Sequence, residues 1–206
     1  MNVVRNRLAL LLCLLILPAA SAAEDASLYV GGRVFFGNYM QQKSGADKLP
    51  VEWIVMDVAD DRALLLSSSV LLNKQYHTNW KLVTWEKCTL RKWLNSTFLD
   101  LAFSAEEQQR ILPTETGQGI TDKVFLLSKE EAVRYLPDAE ERKGIPTEFA
   151  KRLGTSIWPD GTCKWWLRTN EESSLSDAVY FDGSTCYLCV DFDTTGVRPA
   201  IWIAIQ

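Results

Sequence analysis

A single histidine, His77, serves the whole chain of 206 residues, and that scarcity removes several chemistries at once. A Ser–His–Asp triad or a histidine general base would have to use it, and it lies in the polar stretch 73–79, which reads as an exposed surface loop. No nucleophile elbow, Gly-rich phosphate loop, H-E-x-x-H pair or EF-hand loop occurs. The sequence therefore names no catalytic residue, no metal ligand set and no cofactor. Positive charge is also in short supply, with 22 Lys and Arg against 26 Asp and Glu. Nucleic acids and anionic membrane surfaces are recognised through basic patches, so neither is an expected partner. Linkers rich in Pro, Gly or Ser are missing, as are internal repeats, so nothing divides the chain into several domains.

Long apolar runs are lacking except at the start. Arg5 and Arg7 precede an unbroken apolar run from Leu8 to Leu17, which Pro18 ends. Ala20-Ser21-Ala22 then supplies small residues, with Glu24 and Asp25 just beyond. Charge, apolar run, breaker and small-x-small in that order predict a secretory signal peptide over residues 1–22, cleaved after Ala22. A membrane span needs about 20 apolar residues, and this run is roughly half that. Lipid attachment at Cys13 is disfavoured, because the apolar run continues past it and no small residue precedes it. The expected mature form is one domain, 23–206, secreted or periplasmic, with no membrane span and a net charge that goes from −4 to −6 once Arg5 and Arg7 are lost. Eight tryptophans remain to be explained, either as core or as ligand platforms.

Periodicity divides the domain into three parts. Leu28 to Tyr39 reads as a strand region bent at Gly31-Gly32. Val51–Val58 and Arg62–Ser67 read as a hairpin turning at Asp60-Asp61, apolar on both faces and so central in a sheet. Mid-chain, Leu90, Trp93, Leu94, Thr97 and Phe98 mark one face of a helix from Thr89. Ser104-x-x-Glu107 and Ser128-x-x-Glu131 are capping boxes, with a buried strand predicted between them at Val124–Leu127. Pro146 fits the first turn of a helix over Thr147–Leu153, stopped by Gly154. Strands return at Lys164–Arg168, Ala178–Phe181, Thr185–Val190 and Val197–Ile205, with a tight turn at Asp182-Gly183-Ser184. Pro199 has no amide hydrogen and must sit at an edge or near its strand's start. The expected fold class is α+β, a mixed and largely antiparallel sheet with short helices inserted mid-chain.

Four cysteines follow the leader: Cys88, Cys163, Cys186 and Cys189. Cys186-x-x-Cys189 resembles a redox motif in spacing, but such motifs sit at helix N-termini and this one lies in an apparent strand. Three residues of strand separate two Cα atoms by about 10 Å, beyond the roughly 7 Å a disulfide tolerates. Buried apolar thiols, or one bridge from Cys163 to a neighbour, are the expected outcomes. The sequon Asn95-Ser96-Thr97 falls inside the predicted helix.

Several blocks together resemble a known family. Cys88-Thr89-Leu90-Arg91-Lys92-Trp93-Leu94-Asn95, Thr121–Ser128, Trp165-Trp166-Leu167-Arg168 and Gly196-Val197-Arg198-Pro199-Ala200-Ile201-Trp202-Ile203 resemble, in that order, the bacterial domain-of-unknown-function family DUF6273. Segments 34–39, 53–55 and 182–184 fit its pattern too, so the resemblance extends over Leu28–Ile205. The family is one of secreted and surface proteins with no established activity. Its W-W-L-R and G-V-R-P-A blocks look similar to core strands of C-type-lectin-like and formylglycine-generating-enzyme-like domains, which implies a C-type-lectin-like architecture. Thr169-Asn170-Glu171 departs from the Ser-Pro-Gly usual after Arg168, and the Cys186-x-x-Cys189 strand is also unusual for the family. Lectin sugar-binding tripeptides are absent; Trp158-Pro159-Asp160 is a superficial echo.

Two functions follow as expectations. The first is a non-catalytic binding or interaction module for a glycan or protein ligand, with Trp158, Asp160, Asn170, Tyr180 and Tyr187 on its face. Ordinary packing is the plainer role for each, since Trp and Tyr bury when they can. Trp165, Trp166, Arg168, Arg198 and Trp202 read as core, with Asp191 or Asp193 as structural partners for either arginine. The second is an extracytoplasmic enzyme, thiol-dependent through Cys186 or Cys189.

Overall fold

Asp60 and Asp61 close a two-residue turn between β2 (Lys48–Ala59) and β3 (Arg62–Ser67), the hairpin around which the first sheet is built. Asp60 has φ 46°, a left-handed conformation that Asp tolerates better than branched residues do. The protein is seen here as a computed structural model that describes residues 28–117, 119–169 and 171–205. The predicted signal peptide and Asn170 lie outside the described residues.

β1 (Arg33–Met40) pairs with β2, and its register shifts between Phe35 and Asn38, where Gly37 has φ 70°. Gly31-Gly32 lies in a turn ahead of this strand rather than inside it, and the bulge falls at Gly37. A Cβ at Gly37 would stand 2.6 Å from the Phe103 ring, so only glycine lets the strand approach. β4 (Leu72–Asn73) follows, and then the helical middle of the chain.

That middle begins with α1 (Thr89–Trp93), runs through a π-helical turn (Leu94–Phe98) and ends in α2 (Leu99–Ala102). Leu90, Leu94 and Phe98 are buried as their spacing demands, whereas Thr97 is exposed because the wider turn rotates it out. Asn95 holds that turn. Its side chain donates to Arg91 O and Val124 O and accepts from the amides of Lys123 and Val124. Ser104 caps α3 (Ala105–Arg110) through the predicted capping box. β5 (Ile111–Leu112), β6 (Thr114–Glu115) and β7 (Thr121–Asp122) lead into 124–127, which is buried but joins a strand only at Phe125, bonded both ways to Ala200.

A second capping box at Ser128 starts α4 (Lys129–Tyr135), followed by α5 (Ala139–Arg142) and α6 (Glu148–Arg152). Thr147 caps α6, so Pro146 stands just before the cap instead of in the first turn. Five strands complete the chain: β8 (Trp165–Trp166), β9 (Leu175–Val179), β10 (Thr185–Cys189), β11 (Gly196–Val197) and β12 (Ala200–Ala204). The order β1-β2-β3-β12-β5 forms one five-stranded sheet, β10-β9-β8-β11-β4 a second, and β6 pairs with β7 in a small two-stranded ladder. Pairing is antiparallel except between β11 and β8. The fold is therefore mixed α+β and mostly antiparallel, with short helices mid-chain.

The segment Val197–Ile205, expected as one strand, is two strands in two sheets. Pro199 stands at the crossing, where it needs no amide hydrogen and its carbonyl accepts from Ser67 N at 3.0 Å. A single connected core of buried side chains lies beneath both sheets.

The tryptophans divide between core and surface. Trp53, Trp85, Trp165 and Trp166 are fully buried, and each indole N–H finds an acceptor: Phe36 O, Asp122 Oδ2, Arg142 O and Lys74 O. Satisfied that way, each contributes its full apolar area to the core. Trp202 is only half-buried, contrary to expectation, with the Arg62 guanidinium 4.8 Å over its ring. Trp80 and Trp158 are exposed.

Candidate binding site

Trp158 is held outward by a turn whose sequence dictates its shape. Pro159 presets the second position of Trp158-Pro159-Asp160-Gly161, and Gly161 takes φ 89°. The Gly161 amide donates to Trp158 O and the Trp158 amide to Thr162 O, both at 2.8 Å. Asp160 accepts from the Thr162 hydroxyl at 2.7 Å and the Thr162 amide at 3.0 Å. Those two bonds, hydroxyl first, hold its pKa below the usual carboxylate range.

The inner face of Trp158 stacks on Phe181, with ring centroids 4.9 Å apart and planes inclined by 28°. Tyr180 meets the same Phe181 ring edge-on at 4.9 Å. Lys164 Nζ lies 5.4 Å from the Phe181 ring and 5.5 Å from that of Phe192. Phe181 is buried, while Trp158 is 50%, Tyr180 38% and Phe192 41% exposed. The hairpin turn 182–184 locks this end of β9 and β10, and a Cβ at Gly183 would stand 1.8 Å from Ala139 O. Asp182 repeats the Asp160 pattern, accepting from the Ser184 hydroxyl and amide, which lower its pKa. Lys143 Nζ pairs with Glu140 at 2.8 Å and reaches Asp160 at 3.9 Å. Trp158, Asp160 and Tyr180 are therefore brought together, as members of one aromatic platform that Phe181 supports from below. Phe181 and Phe192 were invisible as site residues in the sequence, because an apolar ring in a strand or loop reads as core.

Tyr187 stands elsewhere. It pairs across β9 with Asp177 and lines a cavity of about 450 Å³ with Lys129, Glu130, Arg168, Thr169 and Glu171. Lys129 Nζ lies 5.2 Å over its ring. Asp177 Oδ1 is buried without a hydrogen-bond partner, and burial raises the pKa of this carboxyl. Glu130 is shifted down, chiefly by its own backbone amide and then by the Ser128 hydroxyl at 2.8 Å. Thr169 and Glu171 flank Asn170, which lies outside the described residues.

Several residues expected at or near a site have structural roles. His77 is buried, not exposed: its Nδ1 accepts from the Thr89 amide, one of the orphan donors at the start of α1. Burial, then Lys81 and Lys92, lower its pKa. Cys88 caps the same helix, its Sγ accepting from Arg91 N, and burial pushes its thiol up to about 12. Cys163 is buried and pushed up to about 12 by the same cause. All four cysteines are free, so no bridge from Cys163 forms; Cys186 and Cys189 are half-buried, and burial raises the Cys186 pKa too.

Neither arginine meets Asp191 or Asp193. Arg168 makes a bidentate pair with Glu131 at 2.6 and 2.7 Å and donates to Leu126 O and Thr116 O. Arg198 is buried with no carboxylate, donating from Nε to Ser67 O and lying 5.2 Å over the Trp165 ring. A further polar centre, missed in the sequence, surrounds the buried Asp122, which accepts from Trp85 Nε1, Arg91 Nε and Thr116 Oγ1. Among the described residues no group of three or more His, Cys, Asp or Glu is placed to hold a metal ion. No helix among them is long and apolar enough to cross a membrane.

No curated protein and no solved structure matches the chain. The profile of one domain family, described as a domain of unknown function (DUF6273), matches residues 60–205. The matched span contains both the aromatic platform and the cavity, whereas β1 and β2, including the segments 34–39 and 53–55 that fit the same pattern, precede it. The chain belongs to the DUF6273 family.

Proposed function

We propose that the protein is an exported, non-catalytic binding module whose ligand face is the platform of Trp158, Tyr180 and Phe192, and whose ligand is a glycan. The observation that carries this reading is the exposed Trp158 ring, held flat by Phe181 beneath it and by a hydrogen-bonded turn beside it. Aromatic faces carry negative quadrupole charge and attract the weakly positive C–H groups of a sugar ring. A ring already fixed in place loses little entropy on binding. Asp160 and Lys143 at the rim offer polar partners for hydroxyl groups. Export rests on the leader pattern of residues 1–22.

The competing reading, a thiol-dependent enzyme using Cys186 or Cys189, lacks support of this kind. A catalytic thiol needs a lowered pKa, and the Cys186 thiol is shifted upward by burial.

A glycan array probed with the chain from Ala23 onward tests the proposal, with calcium and with chelator in parallel. Binding is expected in both arms alike, and Trp158→Ala is expected to lower it at least ten-fold with no change in unfolding midpoint. Absence of binding in both arms, or binding indifferent to Trp158→Ala, overturns it.

A further inference from the structure

β10 ends its sheet, and β9 is its only sheet neighbour among the described residues. The ladder fixes which backbone groups are spent. Tyr180 N donates to Ser184 O and Val190 N to Ser174 O, so bonded pairs fall at even-numbered positions of β10. In an antiparallel ladder the alternate residues turn their N–H and C=O groups the other way. Thr185, Tyr187 and Cys189 therefore direct theirs toward the open edge. Cys189 O is taken by Phe192 N, and the rest meet no partner among the described residues.

Exposed edges are normally blunted by charge, proline or a bulge. Thr185-Cys186-Tyr187-Leu188-Cys189 has no charge and no proline, and its register with β9 runs without a shift. Each of these features leaves the edge competent to accept another strand.

The cavity lies against the same strand. Tyr187 and Asp177 share one face of the sheet, and Glu130 and Glu171 line the same cavity. Arg168 is neutralised by its bidentate pair with Glu131, which leaves Lys129 facing three carboxylates. An added strand would lie about 4.8 Å beyond β10, with alternate side chains on the Tyr187 face. A Lys or Arg there spans Tyr187 and brings its cation over that ring, where Lys129 now sits, toward the unpartnered Asp177 Oδ1.

We propose that β10 is a strand-addition site for an extended polypeptide segment that places a basic side chain over Tyr187 into the Asp177–Glu130–Glu171 cavity. Main-chain bonds to Thr185 and Tyr187 supply register, and the cavity supplies the choice of side chain. This surface is separate from the Trp158 platform and does not depend on it.

The test is a panel of capped hexapeptides alternating Val and Thr, with Lys, Arg, Glu or Ser at the third position, titrated against the full mature chain. Lys and Arg peptides are expected to bind at least ten-fold more tightly than Glu or Ser peptides, and N-methylation is expected to abolish binding in the one alternate pattern whose amides face β10. Asp177→Asn is expected to remove the preference for Lys, while Trp158→Ala leaves it intact. No binding by any peptide, no preference for the basic ones, or binding that survives N-methylation in both alternate patterns overturns the proposal. So does self-association of the chain through β10 that excludes every peptide.

Discussion

Glu131 binds Arg168 through both carboxylate oxygens, at 2.6 and 2.7 Å, while the same Oε2 accepts from the Ser128 amide at 2.9 Å. One side chain thus closes the cap of α4 and neutralises a guanidinium that is itself nearly buried. Through that arginine the start of α4 is tied to 126–127 and to Thr116, and the floor of the cavity is set.

Removing Glu131 leaves Arg168 buried without its counter-charge and takes one acceptor from the helix cap. Breaking a buried pair from one side costs about 3–5 kcal/mol; the solvent access of Glu131 brings the expected loss for Glu131→Ala toward about 2–3 kcal/mol. Urea unfolding measures it. A loss under about 0.5 kcal/mol, the size of an ordinary surface change, would show the pair to be ornamental.

His77 makes stability depend on pH. Its folded pKa lies below its ordinary value of 6.5, so the unfolded chain binds the proton more readily. The stabilisation is complete above pH 6.5 and is lost as pH falls through the lower folded value. His77→Asn keeps a short acceptor near the Thr89 amide without titrating there. Urea midpoints for the two proteins are expected to converge between pH 7.5 and pH 5 as the histidine's share disappears; parallel curves would sink the idea.

The four thiols should separate by reactivity. Burial shields Cys88 and Cys163 and pushes both thiols up to about 12, so alkylation at pH 8 is expected to leave them untouched until the protein unfolds. Cys186 and Cys189 are half-buried and should react first, Cys186 slowly because its pKa is raised. Peptide mass mapping after timed alkylation reads the order. Early labelling of Cys88 or Cys163 would contradict their placement.

Local interactions were legible from the residues alone. Both capping boxes, the Asp60-Asp61 hairpin and the Asp182-Gly183-Ser184 turn depend on neighbours within a few positions, and all stand as their patterns require. Family membership was equally legible, since four blocks in order carry it across 60–205. Export and the ligand belong to the proposal, as the lectin-like likeness belongs to the sequence resemblance.

Long-range pairing decided the rest. Burial of His77 depends on α1 arriving beside it, and Arg168 found Glu131 across 37 positions rather than Asp191 or Asp193. Pro199 stands just ahead of β12, near a strand's start as expected, but that Val197–Ile205 divides there between two sheets was decided by pairing partners far off in the chain. Sorting the eight tryptophans likewise needed acceptors such as Phe36 O and Lys74 O, brought into reach only by folding. Hydrophobic period and turn chemistry act over one or two turns of chain, so the sequence by itself determined the elements, their caps and the family. Which polar side chains met, which aromatic rings stayed outside and which strand edge stayed open depended on contacts between distant segments, and only the tertiary structure decided them.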